Sequence, residues 1–299
     1  MNTFFYKTTP KGIIRVIGED AEDYLQSQWS INLRKLPKGC IRYGLRLSTK
    51  GKVLADSYFL RLGDEEFMLV SKECEGADIL SLLNENIVAD EVEFINETQN
   101  WELITLWNET KNSDLTLSNL VKPEKNQFST IEDGFYFEDF RAFPNALSIL
   151  LPIETRWKMD PDVKSKGKND YEQLRIRAGE VSIPTEIGSD DLPQEGKLEN
   201  NAVDFDKGCY LGQEVMARIH AMGRVRRQAC PVSWPSTESP VLPCSLFDGE
   251  KKVGILKTLV PTEEGNSIGI ALIHEKGLDT LNAEGLGIDG FTDLKIKNA

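Results

Sequence analysis

Asp206-Lys207-Gly208-Cys209-Tyr210-Leu211-Gly212-Gln213-Glu214-Val215-Met216-Ala217-Arg218 is the stretch on which the reading of this chain turns. Gln213 to His220 reads as a short helix, with Val215, Met216 and Ile219 on one face and Glu214 in the first turn, where a helix favours negative charge. Cys209 falls just upstream of that helix start, and Lys207 stands two residues before the thiol. A helix mouth and a nearby cation both favour a thiolate. Gly208 and Gly212 permit backbone conformations that a side chain would block. The competing reading is a buried, inert cysteine beside a turn.

Outward from this stretch, Arg218, His220, Arg224, Arg226 and Arg227 crowd a chain whose formal net charge is −13. That balance argues against direct nucleic-acid binding, which needs clustered positive charge. The arginine cluster suits a carboxylate or phosphate of a small ligand, or a solvated strand edge. Five cysteines form no C-x-x-C pair, and two histidines leave few soft ligands, so no metal site or disulfide framework is expected. No apolar run approaches a membrane span, and the residues from Met1 to Lys7 lack signal-peptide character. A cytoplasmic protein is expected.

The 299 residues predict two or three domains. Ile13 to Ile17 reads as a strand, and Glu19 to Gln28 as a helix. Arg42 to Leu47, Lys52 to Leu60 and Phe67 to Val70 read as a meander turning at Ser48-Thr49-Lys50-Gly51 and at Gly63-Asp64. Gly76 to Asn84 reads as a helix, Val92 to Ile95 and Trp101 to Leu106 as strands, and residues 108–130 as a polar crossing. Phe135 to Phe143 and Ala146 to Leu151 read as further strands. Asp170 to Ala178 reads as a helix stopped by Gly179. A long acidic segment from Glu180 to Asn201 follows. Short strands beyond Pro240 (Val253 to Val260, Ser267 to Ile273, Thr292 to Ile296) suggest a small β-barrel. The fold class expected is α+β.

The octapeptide Lys207 to Glu214 resembles the signature of the YgfZ-type folate-binding proteins, implicated in iron–sulfur cluster assembly or repair and related to the glycine cleavage T-protein, an aminomethyltransferase. Val16-x-Gly18-x-Asp20-Ala21-x-x-Tyr24-Leu25-Gln26, Ser48 to Asp56, Arg175-x-x-x-Gly179-x-x-x-x-Pro184 and Gly269-x-Ala271 are similar to further pieces of that family, in the same order. The resemblance implies a three-lobed ring with ferredoxin-like α/β lobes and a C-terminal β-barrel. Its lobes would be 1–46 plus 131–222, then 47–130, then 223–299. It also implies tetrahydrofolate, or a one-carbon derivative, in the central hole.

By motif match, Asp56 falls near the aspartate that T-proteins place beside the folate nitrogens. Glu186 is the nearest acid for the pterin, with Asp190 and Asp191 close by. Cys209 and Lys207 match the YgfZ motif residue for residue and are expected at the mouth of the folate site, with Gly208, Tyr210 and Gln213 around them. Arg224, Arg226 and Arg227 are candidates for the ligand's anionic tail. The expected function is a folate-binding factor serving iron–sulfur client proteins, tRNA-modifying enzymes among them. The alternative is a folate-dependent aminomethyltransferase or demethylase.

Overall fold

The computed structural model describes residues 3–34, 36–108, 120–139, 141, 146–223 and 225–299, with the side chains at 222, 292 and 293 left aside. Its strands fall into three sheets. The first two strands, β1 (Thr3–Thr8) and β2 (Gly12–Ile17), are neighbours in the chain yet join different sheets.

One sheet has the order β3-β4-β5-β2-β6, with β3 (Ile41–Leu47), β4 (Val53–Arg61), β5 (Glu66–Ser71) and β6 (Glu93–Asn96). All its pairs are antiparallel. The β3–β4 turn closes where Ser48 N–H donates to Lys52 O at 2.9 Å and Gly51 N–H to Ser48 O at 2.8 Å. Helices α1 (Ala21–Gln28) and α2 (Gly76–Asn84) send Tyr24, Leu25, Ile79 and Leu83 into the same core as this sheet. Each such apolar side chain contributes roughly 1.5–3 kcal/mol by leaving water.

The second sheet runs β11-β1-β7-β10-β9-β8. Its later strands are β7 (Trp101–Asn108), β8 (Phe128–Ile131), β9 (Gly134–Glu138), β10 (Leu147–Pro152) and β11 (Lys164–Ser165). Strand β9 is shorter than the expected strand to Phe143, whose residues 140 and 142–145 lie outside the described set. The division expected at 46/47 falls inside the β3–β4 hairpin, where Arg46 pairs with Ala55, and that at 130/131 falls inside β8. Pairing therefore groups 12–96 in one sheet, while β1 joins the strands between 101 and 165.

Helix α3 (Lys168–Arg177) ends at Gly179, whose φ of 75° and N–H bond to Ile176 O make the expected stop. The 180–201 segment contains a turn of 3-10 helix and most of α4 (Glu199–Ala202). After α5 (Gln213–Met222) comes a closed six-stranded barrel, in the order β12-β15-β14-β13-β16-β17. It comprises β12 (Arg227–Trp234), β13 (Cys244–Asp248), β14 (Lys251–Pro261), β15 (Ser267–His274), β16 (Leu286–Ile288) and β17 (Phe291–Asn298), with α6 (Leu278–Ala283) between β15 and β16. Trp234, Leu246, Leu256 and Ile273 are among the residues that fill it. The α+β class and the C-terminal barrel agree with the expectation.

Candidate functional site

Asp56 and Tyr58 lie two apart on β4 and so share a face. Tyr43, opposite Tyr58 on β3, donates its hydroxyl to Asp56 Oδ2 at 2.7 Å. Ser71 Oγ donates to Asp56 Oδ1 at 2.8 Å, and the Cys74 thiol lies 3.3 Å from the same oxygen. Burial, with Asp56 beside it, pushes the Cys74 thiol well above its ordinary range. Asp56 opens into a cleft also lined by Tyr58, Lys72, Glu73, Arg141, Tyr171, Glu172, Arg175 and the 181–183 backbone segment.

A buried polar knot supports that cleft. Asp139, fully buried, accepts from Tyr58 Oη at 2.7 Å, from Ser148 Oγ at 2.6 Å and from Lys72 Nζ. Burial alone would raise the Asp139 carboxyl; the Lys72 charge and the hydrogen bonds outweigh it and hold it below the usual carboxylate range. Burial also opposes the Lys72 ammonium, and Asp139 in turn keeps it charged. Arg141 donates to Val181 O at 2.6 Å, and its guanidinium stands 4.8 Å from the Tyr43 ring centre. Of the residues expected at the ligand site, Asp56 lines this cleft; Tyr43, Tyr58, Lys72, Glu73, Cys74, Asp139, Arg141, Tyr171 and Glu172, which line or support it, were not among those expected. Only the alternation that puts Tyr58 beside Asp56 signalled any of them.

Glu186 is not at the cleft. It is fully buried, pairs with Arg175 through both oxygens (2.8 and 3.0 Å), and accepts from Ser182 N–H at 2.7 Å and Thr258 Oγ1 at 2.5 Å. Those partners occupy the carboxylate, so it has no place for a pterin: the expectation is corrected. Asp191 and Glu195 are likewise taken, by Arg227 and, for Asp191, also by Lys257.

The motif loop lies elsewhere. Lys207 is 5% exposed, and its ammonium donates to Gln26 O, Trp29 O and Ile31 O, each at 2.6 Å. Burial lowers this ammonium to about 7. The three carbonyls offset that cost, because only the charged amine has three protons to give them. Lys207 thus caps the end of α1 and turns away from solvent, whereas Cys209 is exposed. Tyr210 is buried, its ring 5.0 Å from Lys207 Nζ, and burial pushes its phenol up to about 12. Gly208 stands in open space, and Gln213 Nε2 donates to Lys207 O at 3.4 Å.

Gly212 has φ 83°, and a Cβ there would meet Ser48 O at 2.6 Å, so the β3–β4 turn rests on the start of α5. None of Lys207, Gly208, Cys209, Tyr210, Gln213 and Arg226 lines the Asp56 cleft. Arg226 is exposed, and Arg224 lies outside the described residues. A larger groove of about 580 Å³ runs beside the loop, lined among others by Ile31, Arg34, Arg42, Asp204, Asp206 and His220.

A solved glycine cleavage system aminomethyltransferase T from Bartonella henselae superposes with a TM-score of 0.77 at 17% identity, covering 99% of this chain and 84% of that one. The fold is that of the T-protein. The family model of the GCVT N-terminal domain matches residues 7–126. A mitochondrial iron-sulfur cluster assembly factor IBA57 homolog from Mycosarcoma maydis is 23% identical over 266 residues, 81% of this chain and 60% of that protein. An uncharacterized protein of Haemophilus influenzae is 27% identical over 226 residues, 75% of this chain and 71% of its own length. The chain spans about three fifths of the assembly factor's length. Among the described residues, no helix is long and apolar enough to cross a membrane, and no His, Cys, Asp and Glu cluster suits a metal ion.

Proposed function

We propose that this chain is a tetrahydrofolate-binding factor that supports assembly or repair of iron–sulfur clusters in client enzymes, tRNA-modifying enzymes among them. The observation that carries the reading is the exposed Cys209 on a loop pinned from beneath by Lys207. The similarity to an iron-sulfur cluster assembly factor over 81% of the chain supports it. An accessible thiol serves cluster chemistry directly, because thiolate is the ligand of iron in clusters and the nucleophile toward sulfur. A one-carbon transfer at a folate nitrogen has no such use for it.

The cleft residues fit a folate by their chemistry. Asp56, Glu73 and Glu172 offer carboxylate acceptors to an N–H-rich pterin, and Tyr171 offers an aromatic wall. When bound, the folate would supply a site for one-carbon units at its ring nitrogens. Asp56, fixed by Tyr43 and Ser71, is the group that would orient it.

The test is Cys209→Ala, measured for client-enzyme cluster activity in cells lacking the protein and for tetrahydrofolate affinity by calorimetry. Cluster activity is expected to fall to the level of the deletion, with folate affinity unchanged. Full complementation by this variant would defeat the reading. The position of Asp56 in the cleft favours a second reading, a folate-dependent aminomethyltransferase. Turnover that survives Cys209→Ala and is lost in Asp56→Asn would establish that one instead.

A further inference from the structure

Two walls of the Asp56 cleft run to the same small turn. Along one, Asp56 stands three residues past Val53, where β4 begins. Along the other, the 181–183 backbone lines the cleft, and the chain then folds through turns closed by Glu186 N–H on Ser182 O at 2.9 Å and by Asp191 N–H on Gly188 O at 2.8 Å. The walls meet where Asp191 O accepts from Val53 N–H at 3.1 Å and Asp190 O from Lys52 Nζ at 2.9 Å. The same turn carries the start of α5. A Cβ at Gly51 would meet Val215 at 3.0 Å, and one at Gly212 would meet Ser48 O at 2.6 Å and Gly51 Cα at 3.2 Å. Surfaces packed this closely pass a displacement on rather than absorb it. Helix α5 is itself lightly seated: among its described side chains only Met216 is buried, and Gln194 Nε2 donates to its Sδ at 3.7 Å. An element that buries so little belongs to the low-stability end of a fold, so the hold on residues 48–53 decides how firmly the Cys209 loop is seated.

We propose that the β3–β4 turn couples the two regions, so that a ligand filling the Asp56 cleft stiffens the loop that carries Cys209. The inference rests on the folate reading above and adds its regulation: the thiol is held in one place for a client when the cleft is filled. A ligand that touches both walls restricts β4 and 181–183 together, and both grip residues 48–53. The ordering at the cleft then extends through the turn to the first turn of α5, which is coupling through conformational freedom. By linkage, whatever unseats α5 weakens the ligand by the same factor with which the ligand steadies α5.

The test is amide hydrogen exchange of the full chain with and without saturating tetrahydrofolate, for wild type and Val215→Ala, with saturation set by calorimetry. Exchange is read over residues 48–53, over 206–216, and over β16 and β17 of the barrel, which line neither wall. Wild type is expected to slow over both 48–53 and 206–216, by about 5-fold or more, and to stay unchanged over β16 and β17. Val215→Ala removes the methyl groups packed at Gly51 and is expected to slow over 48–53 alone. Each protein is read against its own ligand-free state, so a general loss of stability in the variant does not imitate this result. Absence of slowing over 206–216 in wild type that binds tetrahydrofolate overturns the coupling and leaves the folate reading standing. Slowing there that survives in Val215→Ala, or that extends equally to β16 and β17, overturns the assignment to the turn. Failure of wild type to bind tetrahydrofolate at all overturns the folate reading itself.

Discussion

Lys207 and Cys209 are two residues apart and do opposite things. The amine is buried among three carbonyls, while the thiol stands in water. Lys207→Met should therefore act on the loop's anchorage to α1. Three buried acceptors would lose their donors, at roughly 1–3 kcal/mol each before relaxation. The expected outcome is a clear loss of stability in urea and faster proteolysis between 204 and 212. An unchanged urea midpoint and an unchanged cleavage rate there would contradict it. The motif was legible because its parts are contiguous: a lysine, a cysteine and two glycines within six positions. The direction of the lysine was not, because nothing local encodes that Gln26, Trp29 and Ile31 present their carbonyls there. The cleft was harder still. Asp56, Glu73, Asp139 and Arg141 come from segments brought together by sheet pairing and lobe packing, which periodicity does not record.

At the scale of elements, α5 is bounded by two glycines with positive φ, Gly212 at 83° and Gly223 at 71°, which differ in what surrounds them. A Cβ at Gly223 would meet nothing within 4 Å, whereas one at Gly212 would strike Ser48 O. Gly223→Ala should cost about 1–2 kcal/mol for the left-handed backbone alone. Gly212→Ala should cost more and loosen the β3–β4 turn from the helix, a difference that parallel urea melts would read directly. Equal costs would mean that the turn does not rest on the helix. The helix and hairpin were each legible from pattern and turn residues, but their contact was not.

At the scale of the molecule, a hydrogen bond from Thr258 to Glu186 and ion pairs from Asp191 to Lys257 and Arg227 and from Glu195 to Arg227 bind the 180–201 segment to the barrel. Glu186→Ala would leave buried Arg175 with Glu172 as its one remaining carboxylate among the described residues, a change that costs up to about 3–5 kcal/mol. A lowered midpoint in chemical denaturation is expected, and an unchanged one would show that water replaces the pair. Tyr24 and Tyr210 add a pH dependence. Burial raises both phenols from an ordinary 10.0 to about 12. Below pH 10 folded and unfolded chains both hold these protons. Above it the unfolded chain releases them first, so stability should fall as pH rises from 10 toward 12, measurable as a declining melting temperature in that window.

The placement of β1 has a further consequence, for synthesis. Thr3–Thr8 hydrogen-bonds to Trp101–Asn108, so roughly a hundred residues must leave the ribosome before this opening segment meets its main partner. Through that interval its Phe4, Phe5 and Tyr6 stay uncovered on the nascent chain, while the neighbouring 12–96 sheet has all its strands in hand. Chaperone capture of ribosome-bound chains stalled before residue 101 should therefore centre on Thr3–Thr8, and release should follow once β7 has emerged.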